Sequence, residues 1–185
     1  MADQGSEGLF SPFLRRQRLR AARPYLLGRI LDVGCGSGAL AGLVPWDRYL
    51  GVDSDRESLA KAAREHPRHA FASTLPSEPE SFDTVVALAV IEHVDSPARF
   101  LASLARRLRT DPASRIVITT PHPAAEWIHD AGAHIGFFSK HANEEHQQLL
   151  DSEMLSDIGT DAGLRVIEYR RFLLGANQLA VYGRG

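Results

Sequence analysis

The sequence predicts an α/β domain with a mostly parallel sheet and helices on both faces. Short apolar runs rich in β-branched residues alternate with segments of helical periodicity, and the first run ends in a glycine-dense turn. Because 44% of the 185 residues are hydrophobic and 24% charged, we expect one globular domain over residues 1–185. Within it we expect a helical segment over residues 1–27 and a long irregular stretch over residues 121–150.

The first two thirds of the chain read as alternating strands and helices. A helix is expected over Pro12–Tyr25, where apolar residues share one face and arginines crowd the rest. Strands are expected at Arg29–Val33, Tyr49–Val52, Ala70–Ala72, Phe82–Leu88 and Arg115–Thr119. Helices are expected to begin within Gly38–Leu43 and to span Arg56–Glu65, after a Ser54 or Asp55 cap, and Pro97–Leu108.

The end of the chain breaks this alternation. Ser152–Ala162 is expected to be helical, and Leu164–Phe172 and Gln178–Tyr182 are expected to be strands. The short segment between these strands, Leu173–Asn177, has no room for a helix. The two strands are therefore predicted to pair as an antiparallel hairpin.

Composition excludes several classes of protein. A net charge of −2 disfavours nucleic acid as a partner, and no apolar run approaches the ~20 residues of a membrane span. The polar segment Met1–Gly8 is unlike a signal peptide. The single cysteine, Cys35, forms no internal disulfide, which fits a cytoplasmic location. Its place in the glycine turn favours a packing role over a nucleophilic one.

The richest pattern is Ile30-Leu31-Asp32-Val33-Gly34-Cys35-Gly36-Ser37-Gly38-Ala39-Leu40, followed by Leu50-Gly51-Val52-Asp53. Alternate glycines let the backbone turn sharply and approach a ligand, and the N–H groups of a following helix start would face that ligand. A carboxylate at the tip of the next strand, Asp53, is placed to accept hydrogen bonds from ribose hydroxyls. The pattern predicts an adenosine-cofactor site.

The choice of cofactor depends on three further features. Gly34-x-Gly36-x-x-Ala39 formally satisfies the dinucleotide-binding pattern, and Asp53 lies at the expected distance. However, Asp32 lies at the strand end where a dinucleotide site has an apolar residue, and Gly38 widens the turn to suit an amino-acid tail. The terminal hairpin also differs from the parallel strands of a dinucleotide domain. These features favour a sulfonium cofactor.

Together these segments resemble the class I S-adenosylmethionine-dependent methyltransferases over residues ~28–183. The segments that carry the resemblance are the glycine motif, Asp53, Ser81-Phe82-Asp83-Thr84-Val85-Val86, Ile91-Glu92-His93-Val94 and the hairpin. The resemblance implies a Rossmann-like, seven-stranded sheet with an antiparallel last strand. It also implies a cofactor, S-adenosylmethionine, lying across the carboxyl ends of the first strands.

The same resemblance assigns the cofactor contacts. Asp32 and the turn through Gly34, Cys35, Gly36 and Gly38 would hold the methionine part, and Asp53, with Ser54 beside it, the ribose. Ser73 or Thr74 would contact the adenine. The residues that line the site around the sulfonium would be Ala87, Leu88 and Ala89. Many relatives carry an Asp near the end of the third strand for the adenine amino group, whereas Ala70–Pro76 contains no carboxylate.

Two histidines are the candidate catalytic residues. His122, between two prolines at the tip of the fifth strand, is the first choice for a base that faces the acceptor. His93 is the second, although Glu92-His93 could instead cap the next helix and brace the sheet edge. Methyl transfer works through positioning, so a base is optional. The histidine-rich stretch over residues 121–150 is expected to form a substrate lid.

The predicted function is methyl transfer to an oxygen or nitrogen of a small-molecule acceptor, of secondary-metabolite or sugar-like type, without metal. One alternative is a metal-dependent RNA 2′-O-methyltransferase with a Glu92–His93–His146 site, although the further Glu of those enzymes is Ala89 here. Another is a non-catalytic, cofactor-binding partner subunit. The arginines between Ser11 and Arg29 either grip a substrate phosphate or carboxylate or, as favoured, form a solvated helix face.

Overall fold

The structure, a computed structural model, describes residues 10–78, 81–123 and 150–185. Its helices are α1 (Phe10–Ala22), α2 (Arg56–Glu65), α3 (Pro97–Arg107) and α4 (Ser152–Asp161). Its strands are β1 (Ile30–Val33), β2 (Tyr49–Val52), β3 (Ala70–Ala72), β4 (Thr84–Leu88), β5 (Arg115–Pro121), β6 (Leu164–Phe172) and β7 (Asn177–Arg184). In these ranges no helix has the length and apolar character that crossing a membrane requires.

The strands form one seven-stranded sheet in the order β3-β2-β1-β4-β5-β7-β6. The pairs among β1 to β5 are parallel, whereas β7 runs antiparallel to both β5 and β6. The expected α/β class and the terminal hairpin are confirmed. The hairpin turn is tight, with positive φ angles of 54° at Leu173 and Leu174 and 91° at Gly175.

The central strands are buried on both faces, which explains their nearly continuous apolar sequences. On one face α1 packs through Ala21 and Ala22 against Val86, Val117 and Leu179. On the other face α3 and α4 contribute a second set of buried residues, which includes Leu101, Leu104 and Leu155. The sheet edge formed by the carboxyl ends of β1, β2 and β4 is thus held from both sides.

The helix expected to begin within Gly38–Leu43 is absent from the described chain. The segment forms turns and a 3₁₀ turn at Ala41–Leu43. Gly38 has a φ of +80°, outside the helical region, and Pro45 follows too soon for a helix to develop beyond it. The expected helix start is therefore wrong, and the N–H groups of this segment belong to turns instead.

Other elements match the expected positions with shifted ends. The N-terminal α-helix ends at Ala22, and the residues through Tyr25 form a 3₁₀ turn around Pro24. Asp55, one of the two expected caps, accepts hydrogen bonds from the N–H groups of Glu57 and Ser58. The lid was expected over residues 121–150, and most of it, residues 124–149, lies outside the described ranges. The same is true of four histidines in that stretch, His129, His134, His141 and His146.

Candidate functional site

The glycine-rich loop Gly34–Gly38, here called the cofactor loop, lies where β1 ends. The N–H groups of Gly34 and Cys35 donate to the carbonyl of Val52, at 2.8 and 3.1 Å, which joins the loop to the end of β2. Gly34, Gly36 and Gly38 all have positive φ, at 73°, 51° and 80°. Only glycine adopts such a succession without strain.

The three glycines of the loop differ in the space around them. A Cβ on Gly34 would lie 2.4 Å from Val90 Cγ2, and one on Gly38 would lie 3.1 Å from Ala62 Cβ, so the protein itself fills the space at both positions. A Cβ on Gly36 would meet no described atom within 4 Å. The backbone at Gly36 is therefore open to a ligand, which fits a cofactor bound against this turn.

Asp53 lies directly beside that open position. Its Oδ2 accepts from the Gly36 N–H at 2.7 Å and its Oδ1 accepts from the Asp55 N–H at 2.9 Å. The two bonds fix the plane of the carboxylate at the carboxyl end of β2. A carboxylate offers about four lone-pair sites, so both oxygens keep capacity for a ribose hydroxyl.

Asp32 lies beneath the cofactor loop and is 3% exposed. Its Oδ2 accepts from the Tyr49 hydroxyl at 2.7 Å. Burial raises the pKa of Asp32 to about 7, which the Tyr49 hydrogen bond opposes and the Asp53 charge reinforces. Gly51 makes the contact feasible, because a Cβ there would lie 2.9 Å from the Tyr49 hydroxyl. The predicted contact of Asp32 with the methionine part stays a prediction.

Cys35 is buried within the same loop. Burial, followed by the charges of Asp32 and Asp53, raises the pKa of its thiol to about 12. The thiol is therefore neutral at physiological pH, which agrees with a packing role. A Cβ on Gly51 would lie 2.9 Å from Cys35 Sγ, so the side chain already fills the space under the loop.

The remaining predicted cofactor residues lie at the same edge of the sheet. Ser54 follows β2, and Ser73 and Thr74 follow β3; all three are exposed. Ala87 pairs in register with Val33, which places the end of β4 beside the start of the loop. Ala89 has a φ of +58°, an unfavourable conformation for a residue with a Cβ, and such strain concentrates at functional sites.

Glu92 and His93 form a 3₁₀ turn with Ile91 after β4. They do not cap α3, because the Ser96 side chain accepts from the Arg99 N–H there at 3.4 Å; the capping alternative is wrong. His93 is exposed, whereas Glu92 is 2% exposed and its Oε2 has no hydrogen-bond partner among the described residues. Burial raises the pKa of Glu92, against the opposing effects of Arg18, Thr120 and His93.

His122 lies beyond the end of β5, and its N–H donates to the Ala176 carbonyl at 3.0 Å in the hairpin turn. The side chain is partly exposed. Desolvation and the nearby Arg171 charge lower the pKa of His122 from its usual value, and Asp151 opposes that effect. The imidazole is therefore mostly neutral at pH 7, the state in which a histidine accepts a proton.

Several residues of this edge were not singled out as site residues from the sequence. Tyr49 supports Asp32, Val90 closes the loop at Gly34, and Arg18 reaches across from α1 to Asn177 on β7. Gly51 within a strand was a local sign of close packing. The contact between Arg18 and Asn177 joins residues at opposite ends of the chain, so no local pattern could have revealed it.

A metal site was a predicted alternative. Among the described residues, no group of three or more His, Cys, Asp or Glu side chains is arranged to hold an ion. The proposed set of Glu92, His93 and His146 includes a residue outside the described ranges. That set therefore stays a hypothesis.

The sequence matches a protein family described as a methyltransferase domain over residues 9–169. Two similar proteins are ubiquinone biosynthesis O-methyltransferases. The one from Roseobacter denitrificans is 27% identical over 169 residues, covering 84% of this chain and 67% of the relative. The one from Parvibaculum lavamentivorans is 30% identical over 164 residues, covering 80% and 63%. The chain thus matches about two thirds of the length of these relatives.

Solved structures share the fold at low sequence identity. Magnesium protoporphyrin IX methyltransferase from Synechocystis PCC 6803, with bound S-adenosylhomocysteine, superposes with a TM-score of 0.72 at 15% identity, covering 98% of this chain and 90% of that one. An S-adenosylmethionine-dependent methyltransferase from Mesorhizobium loti gives 0.69 at 17% identity, covering 92% and 98%. The family match covers most of the chain and agrees with the fold and the cofactor loop. The chain therefore belongs to this family of S-adenosylmethionine-dependent methyltransferases.

Proposed function

We propose that this chain transfers a methyl group from S-adenosylmethionine to an oxygen or nitrogen atom of a small-molecule acceptor. The observation that carries the proposal is the position of the buried Glu92 carboxylate. It follows β4 by one turn, and Val90 in the same segment closes the cofactor loop at Gly34. Glu92 thus follows by two residues a contact with the cofactor loop, a position from which its carboxylate would meet an acceptor hydroxyl or amine. The names of the similar O-methyltransferases support the same acceptor class.

The cofactor half of the site would be held by the residues described above. Asp53 would accept hydrogen bonds from the ribose hydroxyls, and the open backbone at Gly36 would let the cofactor approach. Ser54, Ser73 and Thr74 would lie along its outer edge. Asp32 and Tyr49 would support the loop from below. When bound, the cofactor supplies a methyl carbon that the sulfonium has already activated.

The chain's own contribution to the chemistry is positioning and proton transfer. Orientation of two reactants supplies roughly 7–11 kcal/mol of a displacement barrier. Ala87, Leu88 and Ala89 would exclude water at the end of β4. His122, neutral at pH 7, would take the proton that the acceptor loses, and His93 is the competing candidate.

Release of S-adenosylhomocysteine by the purified chain, assayed on a panel of small hydroxyl and amine acceptors, tests this function. We expect turnover that a chelator leaves unchanged. His122→Ala should lower kcat by ~10²–10⁴ and remove a rate increase that, in the parent, has its midpoint below the usual histidine pKa. His122→Asn separates orientation from proton transfer, and His93→Ala, measured in parallel, tests the competing candidate base.

Two outcomes would overturn the proposal. Turnover that is lost with a chelator and restored by a divalent cation, on RNA and not on small molecules, would favour the metal-dependent RNA alternative. Cofactor binding without turnover on any acceptor by the chain alone would favour a non-catalytic partner subunit.

A further inference from the structure

Arg18 of α1 is less exposed than the arginines near it in sequence. Arg15, Arg16, Arg20 and Arg23 are exposed, in agreement with the favoured interpretation of a solvated helix face. Arg18 is partly buried, and its Nε donates to Asn177 Oδ1 at 3.1 Å. Desolvation lowers the pKa of Arg18 against the opposing effect of the Glu92 charge. The guanidinium is therefore partly shielded from solvent and lies against Asn177.

The contact with Asn177 uses one hydrogen-bond donor of the Arg18 guanidinium, the Nε group. Asn177 is buried at the start of β7, and its side-chain oxygen orients the Nε edge. In the described ranges the two Nη groups of Arg18 donate to no other residue. A guanidinium that is fixed on one edge presents a rigid pair of donors, the geometry that binds a carboxylate.

The opposite charge, Glu92, lies near enough to shift the pKa of Arg18, and the effect is mutual. The two groups nevertheless form no ion pair within 4.0 Å, since the ion pairs among the described residues join other groups. Arg18 is partly buried and Glu92 is buried, so both charges are held away from water without the direct ion pair that would offset their desolvation. The arrangement therefore calls for a further polar partner for each group.

Unpartnered polar atoms surround the same position. Glu92 Oε2 and the Thr120 hydroxyl are both buried and make no hydrogen bond of good geometry in the part of the chain that is described, although Thr120 lies close enough to lower the pKa of Glu92. Buried polar groups in folded proteins nearly always have partners, so each such atom requires an explanation. The strained backbone at Ala89, two residues before the Ile91–His93 turn, adds a feature that is typical of ligand sites.

We propose that Arg18 and Glu92 together bind the acceptor, a small molecule that carries a hydroxyl or amino group together with a carboxylate. The Glu92 carboxylate accepts the hydrogen bond of the hydroxyl or amine, and the Arg18 guanidinium binds the carboxylate. Thr120 supplies a further hydroxyl beside Glu92. This inference rests on the proposed function and names the class of its substrate.

Three matched probes test the site in protein saturated with S-adenosylhomocysteine. They are 3-hydroxybenzoate, benzoate without the hydroxyl, and phenol without the carboxylate. We expect 3-hydroxybenzoate to bind most tightly to the parent. Arg18→Ala should weaken both carboxylates by at least about tenfold and leave phenol unchanged, because a charged hydrogen bond is lost. Glu92→Gln should weaken the two hydroxyl probes and leave benzoate unchanged.

Arg20→Ala removes the same charge from an exposed position of α1, and it should change no probe. An unchanged affinity for S-adenosylhomocysteine in each variant confirms that the fold and the cofactor half are intact. Absence of probe binding to the parent, or an equal effect of Arg18→Ala on all three probes, overturns the proposal. If the probes bind as expected but no acceptor releases S-adenosylhomocysteine, the proposed function fails while the binding site stands.

Discussion

At the scale of single residues, the site depends on carboxylates in contrasting surroundings. Asp53 is partly exposed and accepts two backbone N–H groups, whereas Asp32 is buried with Tyr49 as its hydrogen-bond partner. The two lie at the ends of neighbouring strands and influence one another, since the Asp53 charge helps to raise the pKa of Asp32. The cofactor loop is therefore held over a carboxyl group that titrates near neutral pH.

Asp32 should make stability depend on pH. Its pKa is about 7 in the folded chain and ~3.9 in an unfolded one, so the folded state binds the extra proton between these values. The free energy of unfolding should therefore fall as pH rises from about 4 to about 7, by on the order of 2–4 kcal/mol from this group, and then level off. Asp32→Asn, which does not titrate, should lose that component.

Urea unfolding of the ligand-free protein at pH 5 and pH 8 measures this effect. Histidines titrate in the same range, so the quantity of interest is the difference in slope between parent and variant. Identical slopes would show that Asp32 stays ionised in the folded protein.

At the scale of elements, one side chain joins Pro121, at the end of β5, to Leu150, which precedes α4. Gln178 is fully buried in β7, and its Nε2 donates to the carbonyls of Pro121 and Leu150. Its Oε1 accepts from the Tyr169 hydroxyl at 2.9 Å, which adds β6 to the network. This side chain therefore fixes the end of β5 and the residue before the cap of α4 relative to each other.

Gln178→Leu should destabilise the protein by roughly 2–4 kcal/mol, because two carbonyls and a hydroxyl lose their partner. Chemical denaturation measures the loss. Tyr169→Phe removes one of the three bonds and should cost about 1 kcal/mol. Equal stability of the Gln178 variant and the parent would mean that other groups satisfy these carbonyls.

Local patterns explain which elements could be predicted from the sequence. β-branched runs identified β4 and β5, the short gap identified the β6–β7 hairpin, and Asp55 was a recognisable cap. The Gly38–Leu43 helix was mispredicted because Gly38 adopts a positive φ, which the sequence alone does not reveal. The cofactor loop and Asp53 were predictable because the short segment from β1 to the end of β2 contains them. The arginines of α1 could be suggested as a group, but the contact between Arg18 and Asn177 could not, because the whole sheet separates these residues in sequence.

At the scale of the whole molecule, the proposed cofactor and acceptor sites lie at different positions along the sheet. The loop after β1 and the residues after β2 and β3 form the proposed cofactor half. The residues after β4 and β5, together with α1 and the start of β7, form the proposed acceptor half. Val90 contacts both halves, because it follows β4 and its side chain packs against the cofactor loop at Gly34. Substitutions in α1 and at the start of β7 should therefore change acceptor specificity and leave cofactor affinity unchanged.

Calorimetry of S-adenosylhomocysteine binding to the parent and to Asp53 variants tests the central claim most directly. We expect S-adenosylhomocysteine to bind and NAD to show no comparable affinity. Asp53→Ala should weaken binding by roughly 2–4 kcal/mol, since the ribose hydroxyls lose a charged acceptor, and Asp53→Asn should weaken it less. Asp55→Ala, which removes the cap of α2 two residues away, should leave the affinity unchanged. Unchanged affinity in both Asp53 variants, or equally tight binding of NAD, would contradict the assignment of this edge of the sheet to S-adenosylmethionine.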